Sequence, residues 1–405
     1  MRGVLLAVAL LAASPLAAQA QSAASPPLSL SAALARAREA NPTILAARQA
    51  RIAGAANVRL AGERPNPDVS FEAEKETPHQ AVAVSLPIEL GGKRARRIDL
   101  ANAGLGVIDA DIARTVADVE DQVRRAYFAL AGANAQRRLA DDLLGLSSRA
   151  REAAAARVAA GDVPRLEGVQ TDLALADAQN EVARADGDVA AACIELNTLL
   201  GAPINDPIAV DDGLGASAIP ELNDVLAKAR ASNVDLVALE RRITEQTARR
   251  DLTRSLETPD LTVGSSLTYD AQPEFSYGWR ASAGVTVPLF TRHRAATAVE
   301  DGELRRLLAE RDATLITLTG AVSAAFARLS STRDQWTRFE QQILPRALEV
   351  ETMAQDAYRS GQTGVTALLQ VLESTRDVRS RGLRAALDVQ MALAELERVA
   401  GVPLR

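Results

Sequence analysis

Two periodicities divide the chain, and each occurs twice. From Leu175 the apolar residues recur at gaps of three and four through Ala178, Val182, Ala185, Val189, Ala192, Leu196 and Leu199. This is the heptad seam of a long helix in left-handed coiled-coil packing. The register returns in Leu368, Val371, Thr375, Val378, Gly382, Ala385, Val389, Ala392, Leu396 and Val399. One side of the seam is mostly Ala, which lets helices approach closely. Elsewhere the period drops to two. Val69, Phe71 and Ala73 alternate with Ser70, Glu72 and Glu74, and Val82, Val84 and Leu86 alternate with Ala81, Ala83 and Ser85. A second pair of strands runs through Leu261, Val263, Leu267 and Tyr269 and returns through Trp279, Ala281, Ala283, Val285 and Val287. Strands of about ten residues joined by short turns make two hairpins, each with one apolar and one polar face.

Both patterns belong to an internal duplication. Gly161 to Pro203 returns as Gly361 to Pro403, and Ala33 to Asn41 returns as Val225 to Asn233, a register that continues to Pro67-Asp68 and Pro259-Asp260. The chain therefore divides into matching parts. Residues 21–66 form a first N-terminal helix, 67–90 a β-hairpin, 91–203 a long helical hairpin with its tip near 161–164, and 204–220 a linker. Residues 221–258, 259–290 and 291–405 repeat helix, hairpin and long helical hairpin, with a tip near 361–364. The tips, Gly161-Asp162-Val163-Pro164 and Gly361-Gln362-Thr363-Gly364, each end one helix and start the next. Arms of about 65 residues lead to them, close to 100 Å at about 1.5 Å per residue.

The strands suit a tilted crossing of a bilayer. Phe71, Tyr269, Phe275, Tyr277 and Trp279 gather at the hairpins in a chain with only 6 Phe, 2 Trp and 4 Tyr, as an interfacial girdle would. The opposite face carries Glu72, Glu74 and Arg280 and suits a water-filled lumen. Four strands cannot close a barrel, and open edges are not tolerated in lipid. Three chains would supply about twelve strands, enough to enclose water. A small soluble sheet packed on the helices is the alternative.

Arg2, the apolar run Val4 to Leu11 and Ala18-Gln19-Ala20 have the parts of a secretory signal covering residues 1–20. No Cys follows that cleavage position, so a lipid anchor attached there is not expected. After the signal, no helical stretch is expected to reach the roughly 18 to 20 uncharged residues of a membrane span. The single Cys193 lies beside the heptad seam and cannot form an intrachain disulfide.

Composition argues against several classes. A formal charge of −6 with few aromatics gives no support to nucleic-acid binding. His79 and His293 have no metal-ligand spacing to each other or to Cys193, and no nucleophile with a base and orienter can be named. No catalytic residue, cofactor or metal site is expected. The cations Lys93, Arg94, Arg96 and Arg97, with Arg292 and Arg294 in the second half, sit at helix starts, where they oppose the dipole. Lipid headgroup phosphate is the expected anion; a solvated charge run is the alternative.

Duplicated halves, two short hairpins, long helices and tips such as Tyr358-Arg359-Ser360-Gly361 resemble the TolC-type outer-membrane factors of tripartite efflux and type I secretion, over essentially the whole mature chain. The stretch Leu86-Pro-Ile-Glu-Leu-Gly-Gly-Lys-Arg94 is similar to the heavy-metal branch typified by CzcC. The resemblance implies a mainly α protein with a small membrane β part. It implies a homotrimer with a 12-stranded outer-membrane barrel and a periplasmic helical tunnel, docking a periplasmic adaptor and an inner-membrane pump of the RND type. It places gate residues at Glu167, six after the first tip glycine, and Tyr358, three before the second. Where the family carries constricting aspartates, this chain has Ala367 and Gln370, making Gln370 the substitute ring. The expected role is passive export of heavy-metal cations. Drug efflux, type I secretion and a periplasmic coiled-coil scaffold are the alternatives.

Overall fold

The computed structural model describes residues 27–211, 213–215 and 220–404. The signal segment 1–20 and part of the linker 204–220 lie outside the described residues. The order is α1 Leu30–Ala40, α2 Pro42–Ala61, β1 Asp68–Ala73, β2 Gln80–Ile88, α3 Lys93–Ala160 and α4 Arg165–Leu199 in the first half. The second half has α5 Leu222–Ser232, α6 Val234–Ser255, β3 Asp260–Ala271, β4 Phe275–Thr286, α7 Arg294–Arg338, α8 Leu344–Arg359 and α9 Val365–Ala400.

Each half opens with two helices where the sequence suggested one, and an asparagine makes the break. Asn41 accepts from Thr43 N and Ile44 N, capping α2 ahead of Pro42, and its Nδ2 donates to Leu199 O at 2.8 Å. Asn233 accepts from Leu236 N and donates to Val399 O at 2.8 Å. A buried cap that also satisfies the far end of a long helix holds the chain at a bend better than a continuous helix would. Gly201 and Gly401 close the same knots. A Cβ on Gly201 would stand 2.4 Å from Ala40 O, and one on Gly401 2.7 Å from Ser232 O.

The long arm α3 runs unbroken for 68 residues. Its counterpart contains one π-helical turn, Phe339–Ile343, just before Leu344-Pro345. A proline inside a helix lacks its N–H and crowds the preceding turn, and widening that turn relieves the clash. The seam of α9 is buried at Leu368, Thr375, Gly382, Ala385, Val389, Ala392 and Leu396. It packs on α7 and α3, whereas α4 packs chiefly on α3. One core gathers α1, α3 and α4 around Val123, Phe128 and Leu196; a second gathers α5, α7 and α9 around Val322 and Leu396. The described part of the linker is tied down. Val210 bridges to Leu28, and Tyr127 Oη donates to Leu28 O while accepting from Asp211 N.

One arm is apolar enough, by length and composition alone, to pass for a membrane-crossing helix, although charged residues interrupt it before 18 uncharged residues are reached. An 18-residue window within Arg294–Arg359 has a mean hydropathy of 1.3. Ala, Ser and Thr thin out its charges, while Leu318, Val322, Ala325 and Leu329 are spent on the second core. Only 22% of that window is buried, leaving an apolar surface along the arm.

The four strands form one antiparallel sheet in the order β1-β2-β3-β4. Its register puts Phe71, Val82, Leu267 and Trp279 in one row across all four strands, with Val69, Val84, Ser265 and Ala281 in another on the same face. Tyr269 lies opposite Tyr277, and Ile88, Leu261 and Val285 form a row towards the helices. The other face reads Ser70, Ala83, Ser266, Arg280 and Glu72, Ala81, Thr268, Gly278. The outer edges of β1 and β4 have no strand partner among the described residues.

Candidate functional site: the paired helical tips

The two tips are built alike. α3 ends at Gly161, with φ +80°, and Asp162 N returns to Arg157 O; α8 ends before Gly361, with φ +73°, and Gln362 N returns to Ala357 O. A left-handed glycine followed by this return bond ends a helix cleanly. Pro164 and Gly364 then stand at the N-caps of α4 and α9. Asp162, Pro164 and Gln362 are exposed, and Val163 and Thr363 are half-buried.

Beneath the turns the tips interlock. Tyr358 is 2% exposed and packs with Ala150, Val365, Leu368 and Leu372. The Arg157 guanidinium stands 5.2 Å from its ring centroid, a cation–π contact from the first tip to the second. Glu167 approaches from α4, with Oε1 3.8 Å from where a Cβ on Gly364 would lie. Burial raises the Tyr358 pKa above its ordinary value, and the Glu167 carboxylate adds to that, while Arg157 opposes it. Among the described residues, Arg157 NH1, Glu167 Oε2 and Tyr358 Oη are buried with no hydrogen bond of good geometry. Three polar groups thus meet around one buried ring, joined by charge and by the cation–π contact.

The structure brings Glu167 and Tyr358 together and leaves Gln370 exposed on α9 outside the cluster. Sequence reasoning missed Arg157. The available signal was asymmetry. Where the repeats otherwise match, Arg157 faces Ala357 in the alignment, Val158 faces Tyr358, and Glu167 faces Ala367.

The expected cationic collar is corrected at two positions. Lys93 is buried and its Nζ meets Asp260 Oδ2 at 2.7 Å, and Arg97 pairs with Glu89 and donates to Glu63 O. Their offsetting anions come from the chain itself, because the strand starts and helix starts converge there. Arg94 donates to Gly62 O at 2.6 Å, Arg96 lies 3.5 Å from Asp99, and Arg292 donates to Leu289 O. Arg294 is exposed. The aromatic set Phe71, Tyr269, Phe275, Tyr277 and Trp279 is exposed throughout, Trp279 at 74%. Phe290, which the sequence reading did not include, is 99% exposed at the foot of β4. Among the described residues no group of three or more His, Cys, Asp or Glu side chains is placed to hold a metal ion.

Residues 33–202 and 225–402 match the family model described as outer membrane efflux protein. The chain is 26% identical over 381 residues to the cobalt-zinc-cadmium resistance protein CzcC of Cupriavidus metallidurans, covering 93% of this chain and 90% of that protein. Among solved structures it resembles CusC, described in terms of transmembrane channel formation, with a TM-score of 0.75 at 16% identity over 92% of each chain. It also resembles the open state of the MtrE outer membrane channel of Neisseria gonorrhoeae, with a TM-score of 0.74 at 18% identity over 93% of this chain and 89% of that one.

Proposed function

Since this chain belongs to the outer membrane efflux protein family, its match covering both halves, we propose that it is the exit duct of a tripartite pump that expels heavy-metal cations. The duct is a homotrimer whose three sheets share one barrel, and whose tips receive a periplasmic adaptor linked to an inner-membrane pump of the RND type. The protein is an outer-membrane efflux channel and not an enzyme. The specific cargo and partners are the proposal.

The observation that supports a trimeric duct is a second seam on α4. Leu166, Val169, Leu173, Ala176, Asn180, Ala183, Gly187, Ala190 and Ile194 recur at gaps of three and four, and all are exposed. In α9 the matching face includes Leu369, Ser380, Leu387, Gln390 and Ala394, which are wholly or partly buried. Leu387 meets α3 at Gly132 and Ser380 meets it at Gln136. By the repeat, the bare α4 seam takes α7 and α8 of a neighbouring copy. On α8 and the π turn before it, Ile343, Val350 and Met353 stand exposed where α3 has Leu143, Ala150 and Ala153. Burying such a stripe stabilises by about 25 cal/mol per Å² of apolar surface.

The cargo assignment rests on the likeness to CzcC. Deleting the gene in its host and measuring tolerance tests it. Loss of tolerance to cobalt, zinc and cadmium with unchanged tolerance to drugs and detergents supports the reading. Selective loss of drug tolerance overturns it.

A further inference from the structure

We infer that Asp68 of one copy and Arg294 of the adjacent copy form an ion pair at the foot of the barrel, repeating between chains the Lys93–Asp260 pair made within one. The inference rests on the trimeric reading above and names the contact that closes it.

The argument begins with the two hairpins, which are the same object twice. Asp68 pairs with Ser85 in the first and Asp260 with Thr286 in the second, and Val69, Val84 match Leu261, Val285. Each hairpin then enters its long arm through a left-handed residue immediately before the helix. Gly92 has φ +73° and His293 has φ +52°. Arg96 N bonds Gly92 O, and Thr297 N bonds His293 O. Lys93 and Arg294 are therefore the same position, the first residue of each arm. Asp68 and Asp260 are likewise the same position, the first residue of β1 and of β3.

Between the hairpins the chain shows what that position does. Lys93 is buried, its Nζ is 2.7 Å from Asp260 Oδ2, and Asp260 Oδ1 accepts from Leu90 N at 3.3 Å. This contact exists because β2 and β3 are neighbours, so that the arm following β2 starts beside the foot of β3. The second arm follows β4, whose outer edge is bare, and its strand neighbour in a shared barrel is β1 of the next copy. Asp68 and Arg294 are both exposed, and neither side chain has an ion-pair or hydrogen-bond partner among the described residues. Opposite charges stand ready at the two ends of one missing junction.

A second observation points to the same junction. β2 continues to Ile88, beyond the foot of β1, because Leu86, Pro87 and Ile88 pair with Val263, Thr262 and Leu261. Their counterparts Val287, Pro288 and Leu289 lie past the end of β4 with no strand beside them. Carrying the β2–β3 register across sets Val287 opposite Phe71 and Leu289 opposite Val69 of the next copy. Every apolar residue stays on the apolar face, as a one-residue slip would not allow. Gly91 alone differs, its counterpart Arg292 having an ordinary φ. A carboxylate and a guanidinium held at a strand foot fix register as well as adding attraction.

The test uses the full-length protein in outer membranes, with Cys193→Ser as background. Asp68→Cys with Arg294→Cys, treated with a short bis-methanethiosulfonate, is expected to give covalent dimers and trimers on non-reducing gels. Lys93→Cys with Asp260→Cys, treated identically, is expected to link within one chain and so calibrates the reagent. Co-expressed single variants Asp68→Cys and Arg294→Cys should give a dimer and nothing larger. Linking at 93–260 without linking at 68–294, in protein whose mass in mild detergent is that of a trimer, overturns the pair and leaves the trimer standing. A monomeric mass overturns both. As a second reading, Asp68→Arg and Arg294→Asp each lower the temperature at which the oligomer dissociates, and the double variant restores it. Single variants without effect show neighbours that are not a pair, and overturn the proposal.

Discussion

The Arg157 guanidinium lies 5.2 Å from the ring centroid of Tyr358, joining the first helical tip to the second. The ring makes this contact, and the same guanidinium opposes the rise in the Tyr358 pKa. On the proposal that these tips gate the duct, Arg157→Ala removes a cation–π contact of about 1 kcal/mol and should shift a closed-to-open ratio roughly five-fold per tip. Tyr358→Ala also empties a packed site and should open the tip further, while Tyr358→Phe keeps both ring and packing and should leave it near its resting state. Single-channel conductance in planar bilayers orders the three variants.

On the same proposal, Tyr358 would make the tip sensitive to alkali. Its pKa is raised from 10.0 by burial and by Glu167, so the closed tip holds the phenol proton more tightly than an open one does. The sign follows from linkage: the contribution is complete below the ordinary tyrosine value and is lost as pH rises through the raised one. Open probability should therefore climb above about pH 10. The climb should be absent in Tyr358→Phe, and a profile shared by both proteins would exclude the phenol as its source.

Glycines at the tips and at the knots should respond differently. Gly161 and Gly361 have φ +80° and +73° with nothing within 4 Å of an added Cβ, so alanine there costs only left-handed strain, about 1 to 2 kcal/mol. At Gly201 and Gly401 the same strain comes with a Cβ 2.4 or 2.7 Å from a carbonyl oxygen, and the backbone itself must move. Thermal melts followed by circular dichroism should show small shifts for Gly161→Ala and Gly361→Ala. Gly201→Ala and Gly401→Ala should cause marked loss of folded protein.

Much of this architecture was legible because the duplication supplied each element twice. The heptads gave the arms, Gly161 and Gly361 gave the tips, and the alternation around Val84 and Val263 gave the strands. Contacts between elements distant in sequence were not legible. Asn41 reads as a helix interior residue until its amide is seen capping α2 and reaching Leu199. Lys93 reads as a surface cation until Asp260 is seen beside it. Arg157 carries no motif at all, and only its mismatch with Ala357 sets it apart.

The bare seam of α4 gives the sharpest separation between folding and assembly. Leu173 is 63% exposed, and Leu166 is 64% exposed on the same stripe, so a charge at either position meets only water in the isolated chain. Between copies the charge would be buried without a partner, and each such burial costs several kcal/mol. Leu173→Asp should therefore keep the helical circular dichroism of the wild type while its mass in mild detergent falls from trimer to monomer. Ala185 lies on the opposite seam of α4 at 1% exposure, so Ala185→Asp should lose helical content as well. A trimeric Leu173→Asp protein would mean that the stripe faces the duct or an adaptor, and that the copies meet elsewhere.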